Sequence, residues 1–218
     1  MKNLLFFFLT FLILNSCQKE NTTKNSIALK IAHAHGFENW DNVTSFAFTF
    51  GGDIKTPNSG RAWIWKPKTD DIQLIYKEDT INFNRNKLDS TSIKYDKAFI
   101  NDKFWALIPF QLVWDSKAII STPVLEKSPI KGDKLNRITI VYPNLGGYTP
   151  GDAYDIFYSD DFIIREWNYR KVNDPEPSLT NTFEDYKDFG SIKIAQSHKQ
   201  KGGQWNLLLR DINIEFED

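Results

Sequence analysis

His33 and His35 are the residues whose type and spacing most directly suggest chemistry. They stand in the string HAHG, residues 33 to 36. On a strand, side chains two apart share a face, and two imidazoles there can hold one divalent ion for metal-dependent hydrolysis. On a helix, residues two apart differ by about 200° and face opposite sides. Residues 26 to 35, SIALKIAHAH, put Ile27, Ile31 and Ala34 at helical spacing, with Ser26 placed to cap the start and Gly36 placed to end the turn. A helix is therefore predicted, and a metal-dependent hydrolase using His33 and His35 is kept only as a remote alternative. His35, beside Ala28, Ile31 and Ala32, is expected to be partly buried in the last helical turn, where an imidazole meets free carbonyls and the negative end of the dipole. His33 is expected to face solvent. The third histidine, His198, falls in the polar stretch 196 to 203, which reads as a hairpin loop.

Other constellations are thin. Pro143 to Gly151 is glycine-rich but lacks the Lys-Ser/Thr of a phosphate loop, so it reads as a turn. Asp152, Asp155, Asp160 and Asp161 match no calcium-loop spacing, and no Gly-x-Ser-x-Gly elbow occurs. No catalytic residue, metal site or cofactor is assigned, and the chain is read as a non-enzyme.

The single cysteine, Cys17, follows an apolar run from Leu4 to Leu14 that is preceded by Lys2. That run falls short of the roughly 20 residues a membrane-spanning helix needs, so residues 1 to 16 read as a cleaved signal peptide. Leu14-Asn15-Ser16-Cys17 resembles the lipobox of bacterial lipoproteins, with Asn15 a departure from the small residue more usual there. The resemblance implies diacylglycerol on the Cys17 thiol, cleavage before it and acylation of the new amino terminus. Residues 17 to 25 would then be the lipidated Cys17 and a polar tether. The lack of Asp after Cys17 is similar to the outer-membrane sorting pattern. Cys-Gln-Lys-Glu resembles a surface-export signal, so a lipid-anchored outer-membrane protein is expected, with the cell surface favoured over the periplasmic face.

The chain has 27 basic and 28 acidic side chains, so no basic field for nucleic acid exists. Residues 26 to 218 suffice for a single domain with a sizeable core. Its dominant period is two. Phe46, Phe48 and Phe50 share one face of a strand, as do Trp63 with Trp65 and Ile72 with Leu74 and Tyr76. Ile138, Ile140 and Tyr142 repeat the pattern. Residues 153 to 169 read as a hairpin closing near Asp160-Asp161, with Ile163, Arg165, Trp167 and Tyr169 aligned on its second arm. In the last strand the phase slips near Arg210-Asp211, which predicts a bulge. A short helix is predicted from about Asn101 to Ile108, ended by Pro109 and followed by a strand. Residues 116 to 133, with Pro123, Pro129 and Gly132, read as a long loop or lid.

Together these elements predict an α+β, mainly β fold: an antiparallel curved sheet or half-open β-barrel closed around one or two short helices. Ala34-His35-Gly36 before Trp40, Gly60 to Trp65, Asn101-Asp102 before Phe104-Trp105, and Thr149 to Tyr154 resemble segments of small uncharacterised Gram-negative outer-membrane lipoproteins. Those resemble in turn the half-open barrel of the lipoprotein-sorting carriers and receptors. The resemblance implies fold and carries no catalytic residues.

Aromatic faces beyond the needs of a small core predict a concave cavity for a lipid or other apolar ligand. Its candidate lining is Phe46, Phe48, Phe50, Trp63, Trp65, Trp105 and Trp167. The competing expectation is a non-catalytic surface or envelope-complex interaction module with a filled barrel. Expected partners are the membrane through acylated Cys17, an apolar ligand and an envelope protein, with no nucleic acid.

Overall fold

Cross-strand pairs of large apolar side chains build the first sheet. The computed structural model describes residues 27–52, 55–56, 59–203 and 205–217. The predicted signal peptide, Cys17, the tether and the Ser26 cap lie outside them. Strands β1 (Val43–Phe50), β2 (Arg61–Lys66), β3 (Asp71–Tyr76) and β4 (Asp79–Asn84) form an antiparallel meander. Register aligns Phe46 with Trp65 and Trp65 with Ile72, and aligns Phe48 with Trp63 and Trp63 with Leu74. Each row places side chains of one parity on one face, which removes them from water together.

The other neighbour of β1 is the last strand, β13 (Asn206–Phe216), followed in the sheet by β12 (Lys193–Lys199) and β11 (Glu184–Asp188). Between the pairs Ala47 with Asn213 and Thr49 with Arg210, β13 holds one residue more than β1. Asp211 takes φ 52° there, so the phase slip at Arg210-Asp211 is a β-bulge that bends the strand.

The second sheet runs β10 (Leu179–Thr182), β9 (Ile164–Arg170), β8 (Ala153–Tyr158), β7 (Lys134–Val141) and β5 (Ile119–Ile120), with β6 (Val124–Lys127) also on β7. The β8–β9 hairpin turns at Asp160-Asp161, as its sequence predicts. Residues 116 to 133 are not a single loop. They hold β5 and β6, short edge strands whose prolines fall outside the paired positions.

Among the described residues, backbone bonds join the two sheets along one side only. At Phe183 the chain passes from β10 into β11, and so from one sheet to the other. Phe183 N donates to Arg165 O at 2.7 Å, Lys201 N to Thr180 O at 2.9 Å, and Asn181 bridges to Gln200. The result is mainly β with antiparallel curved sheets that do not close, the predicted half-open architecture.

Two helices fill the interior. Residues 27 to 34 form α1, which ends where Gly36 enters the left-handed region at φ 90° and a 3-10 turn, Phe37–Asn42, follows. A side chain at Gly36 would strike the Ser191 carbonyl, so this stop also seats α1 on the sheet. The second helix, α2, is far longer than the sequence suggests, running from Ile93 to Trp114. Pro109 does not end it. The helix breaks at Leu107 (φ −123°), so Pro109 sits in the first turn of the segment that resumes, where a missing N–H costs nothing. The run from Phe104 to Trp114 is apolar on every side because α2 lies between two apolar clusters, one on each sheet.

His198 is not in a loop. It is a fully buried member of β12, and the hairpin turn falls at Lys201 to Gly203. Its Nδ1 lies 3.3 Å from Thr182 O and its ring meets Phe183 edge-on at 4.5 Å.

Candidate functional site

One face of α2 walls a cavity of about 900 Å3. Lys97, Ile100, Asn101 and Phe104 on that wall repeat at helical spacing, Trp105 adjoins them before the break at Leu107, and Gln111 and Trp114 continue the wall past it. Opposite stand Tyr154, Trp167 and Tyr169 from β8 and β9, with Trp40 from the 3-10 turn and Trp65 from the first sheet. Trp105 packs on Trp167 at 4.6 Å and Phe104 on Tyr154 at 4.6 Å, so the wall is a continuous aromatic surface.

The glycine-rich segment 143 to 149 borders this space. It is tied to α2 near both ends of the helix: Tyr142 OH donates to Asp115 at 2.6 Å, and Tyr148 OH donates to Asp96 at 2.7 Å. Burial, reinforced by Asp115, pushes the Tyr142 phenol far above its ordinary range. Burial and the Asp96 bond raise Tyr148 to about 12. Both hydroxyls therefore stay protonated donors at neutral pH. Between them Gly146 and Gly147 both hold positive φ, and Leu145 projects into solvent. This segment, rather than residues 121 to 133, covers the cavity; of the earlier loop only Ser116, Lys117 and Ala118 reach it.

Of the seven residues expected to line a cavity, the structure brings Trp65, Trp105 and Trp167 to this wall. Phe46, Phe48 and Trp63 lie instead in the packed core of the first sheet, with Phe46 and Phe48 stacked at 4.9 Å. Phe50 bridges the two clusters and meets Trp105 at 6.4 Å without reaching the wall. Sequence reading missed Phe104, Trp114, Tyr142 and Tyr154. Their signal was a strand or helix parity shared with known apolar positions, as for Tyr142 beside Ile138 and Ile140.

Lys103 was also missed. It is buried in the wall between Trp114, 5.1 Å from its Nζ, and Trp65 at 5.4 Å. Burial, and then the nearby Arg85, lower its pKa to about 8. Its chain neighbour Asp102 is fully buried and compensated: Arg61 Nε and Nη2 donate to it at 2.6 Å each and Trp63 Nε1 at 2.8 Å.

The histidines part company. His33 is half exposed and 2.9 Å from Glu38 Oε2. His35 is fully buried, its Nδ1 donating to Ile31 O at 2.7 Å and its Nε2 lying 3.4 Å from Tyr186 OH. Burial lowers His35 to about 4, so it ends the helix as a neutral hydrogen-bonding group and not as a cation on the dipole. Among the described residues no group of three or more His, Cys, Asp or Glu converges as metal ligands. The aspartates near the β8–β9 hairpin have other duties: Asp152 accepts from Tyr169 OH and Val172 N, Asp155 from Arg170 and Thr139, and Asp161 caps the turn at Ile163 N.

No family model and no curated protein matches the chain. Among solved structures, a DUF1329 family protein from Desulfovibrio piger aligns over 90% of this chain and 93% of its own, at 8% identity and a TM-score of 0.47. Mycobacterium tuberculosis lipoprotein LppX aligns over 86% and 95%, at 9% identity and a TM-score of 0.29. At such values no residue, ligand or role transfers to this chain.

Proposed function

We propose that this chain is a lipid-anchored envelope lipoprotein that binds a lipid or other apolar ligand without catalysing a reaction. The observation that carries the reading is the cavity of about 900 Å3 beside α2, at the upper end of the roughly 300–1,000 Å3 common for small-molecule sites. Its wall of Phe104, Trp105, Trp114, Tyr154 and Trp167 is suited to an acyl chain. An interaction module with a filled barrel would not leave that space. Anchorage at acylated Cys17 in the outer membrane, with the cell surface favoured, rests on the order Leu14 to Glu20.

Residues 18 to 218, expressed without the anchor, test the binding reading by native mass spectrometry, lipid extraction and titration with a fluorescent fatty acid. A co-purifying apolar species or saturable probe binding is expected. A clean apo mass with no probe binding would refute it. For the anchor, Cys17→Ala in the full chain is expected to abolish metabolic labelling with palmitate, and persistence of label would remove the acylation proposal.

A further inference from the structure

The charges on the cavity wall are unbalanced in a chain that is nearly neutral. Among the described residues, Arg85, Lys97, Lys103 and Lys117 line it, against Asp115 as the single carboxylate. Asp115 already accepts from Tyr142 OH, and Arg85 is spoken for by Asp96 at 2.7 Å. Lys97 and Lys117 are exposed, but Lys103 is only 7% exposed. Among the described residues its ammonium has no hydrogen-bond or ion-pair partner, only the faces of Trp65 and Trp114. A buried cation held that way remains short of an anion, because aromatic faces return only part of the hydration it has lost.

Resting on the apolar-binding reading, we propose that the ligand is an anionic amphiphile: its acidic head pairs with the Lys103 ammonium and its acyl chain lies along Phe104, Trp105, Tyr154 and Trp167. Lys97 and Lys117 add a positive rim that draws such a head toward Lys103. The charged groups that set the state of Lys103 are Arg85, which opposes its protonation, and Asp115, Asp70 and Asp96, which favour it. Asp70 is itself engaged by Trp65 Nε1 at 3.3 Å and lies 4.0 Å from Arg85. With Lys103 at about 8, the empty protein is expected to lose preference for the anion as pH rises from about 7 to about 9.5.

The test is titration of the unlipidated chain 18 to 218, wild type and Lys103→Met, with hexadecanoate, palmitoyl lysophosphatidylglycerol and hexadecanol. Folding of the variant is checked by circular dichroism, and Lys103→Arg is carried in parallel as a charge-preserving control. In wild type an anionic probe is expected to bind at least about tenfold more tightly than hexadecanol, the worth of one charge-assisted contact. Which of the two anions leads identifies a free fatty acid or a phospholipid-type head. Lys103→Met is expected to abolish the preference, bringing the anionic probes to within about twofold of hexadecanol measured on the same variant, and Lys103→Arg to keep most of it. Equal binding of all three probes, or a preference that survives Lys103→Met, overturns the role of Lys103 but leaves the apolar site standing. No binding of any probe to folded wild type overturns both.

Discussion

Asp102 and Lys103 are consecutive residues of one helix, both buried, yet the interior treats their charges in opposite ways. Asp102 points toward the densely packed region between α2 and the first sheet, where Arg61 and Trp63 supply three donors. Lys103 stands in the wall of the open region, between two tryptophan faces and an unfilled volume. On the proposed reading the difference separates structural from functional burial: the charge of Asp102, which holds the fold, is compensated within the chain, whereas that of Lys103 is left for a ligand to compensate. The first region should punish every change to its charge or volume, and the second should tolerate change or gain from it.

Acid sets the largest expected effect. His35 and His198 are, like Lys103, buried bases with no ion-pair partner among the described residues, but burial lowers their pKa to about 4, so they meet the interior as neutral groups at pH 7. The unfolded chain protonates both near 6.5, so it binds more protons than the native state between those values. Their contribution is complete above about pH 6.5 and is lost progressively as pH falls toward 4, on the order of 2–3 kcal/mol apiece. Urea midpoints at about pH 7 and about pH 4.5 should show the fall, and His198→Phe should make it distinctly shallower.

Phe48→Ala empties part of the packed region and is expected to cost about 3–5 kcal/mol in denaturant unfolding. Asp102→Asn keeps the shape but leaves the Arg61 guanidinium without its counter-ion. About 2–4 kcal/mol is expected, below the full cost of a broken buried pair because Arg61 is about one-third exposed and can rehydrate. Lys103→Met should move the other way, raising stability at neutral pH by about 1–2 kcal/mol, since the native state no longer carries a charge that its site disfavours. A loss of stability in Lys103→Met as large as in Asp102→Asn would erase the contrast between the regions.

Much of the fold is legible in period and punctuation. The alternation of β1, the Gly36 stop and the Arg210-Asp211 bulge each depend on local geometry that a few residues dictate, and the structure bears all three out. What escaped depends on tertiary context. Pro109 reads as a terminator unless the break at Leu107 is known, because only that break places it in a first turn. His198 reads as loop because its neighbours Gln196, Ser197 and Lys199 are polar, yet the seam between the sheets buries the imidazole. The site was legible as an aromatic surplus, but not in which aromatics face the cavity. Phe46, Phe48 and Trp63 share a face with the wall residue Trp65, and it is the apolar cluster with α2 packed over them, not their parity, that puts them in the core. Lys103 did leave a trace: two opposite charges, side by side, at the start of a run apolar on every side.

The seam at Phe183 has a mechanical consequence. Because, among the described residues, the backbone bonds between the two sheets cluster where β10 passes into β11 beside β9 and the end of β12, their far margins can part or approach without breaking a ladder. The stiffness of the interior is then set by α2, which spans the gap and is itself articulated at Leu107. On the proposed reading, such a frame would accept guests of unequal girth by small rotations about one edge. Tyr142 and Tyr148, gripping Asp115 and Asp96, would keep the covering segment travelling with the helix as the gap widens.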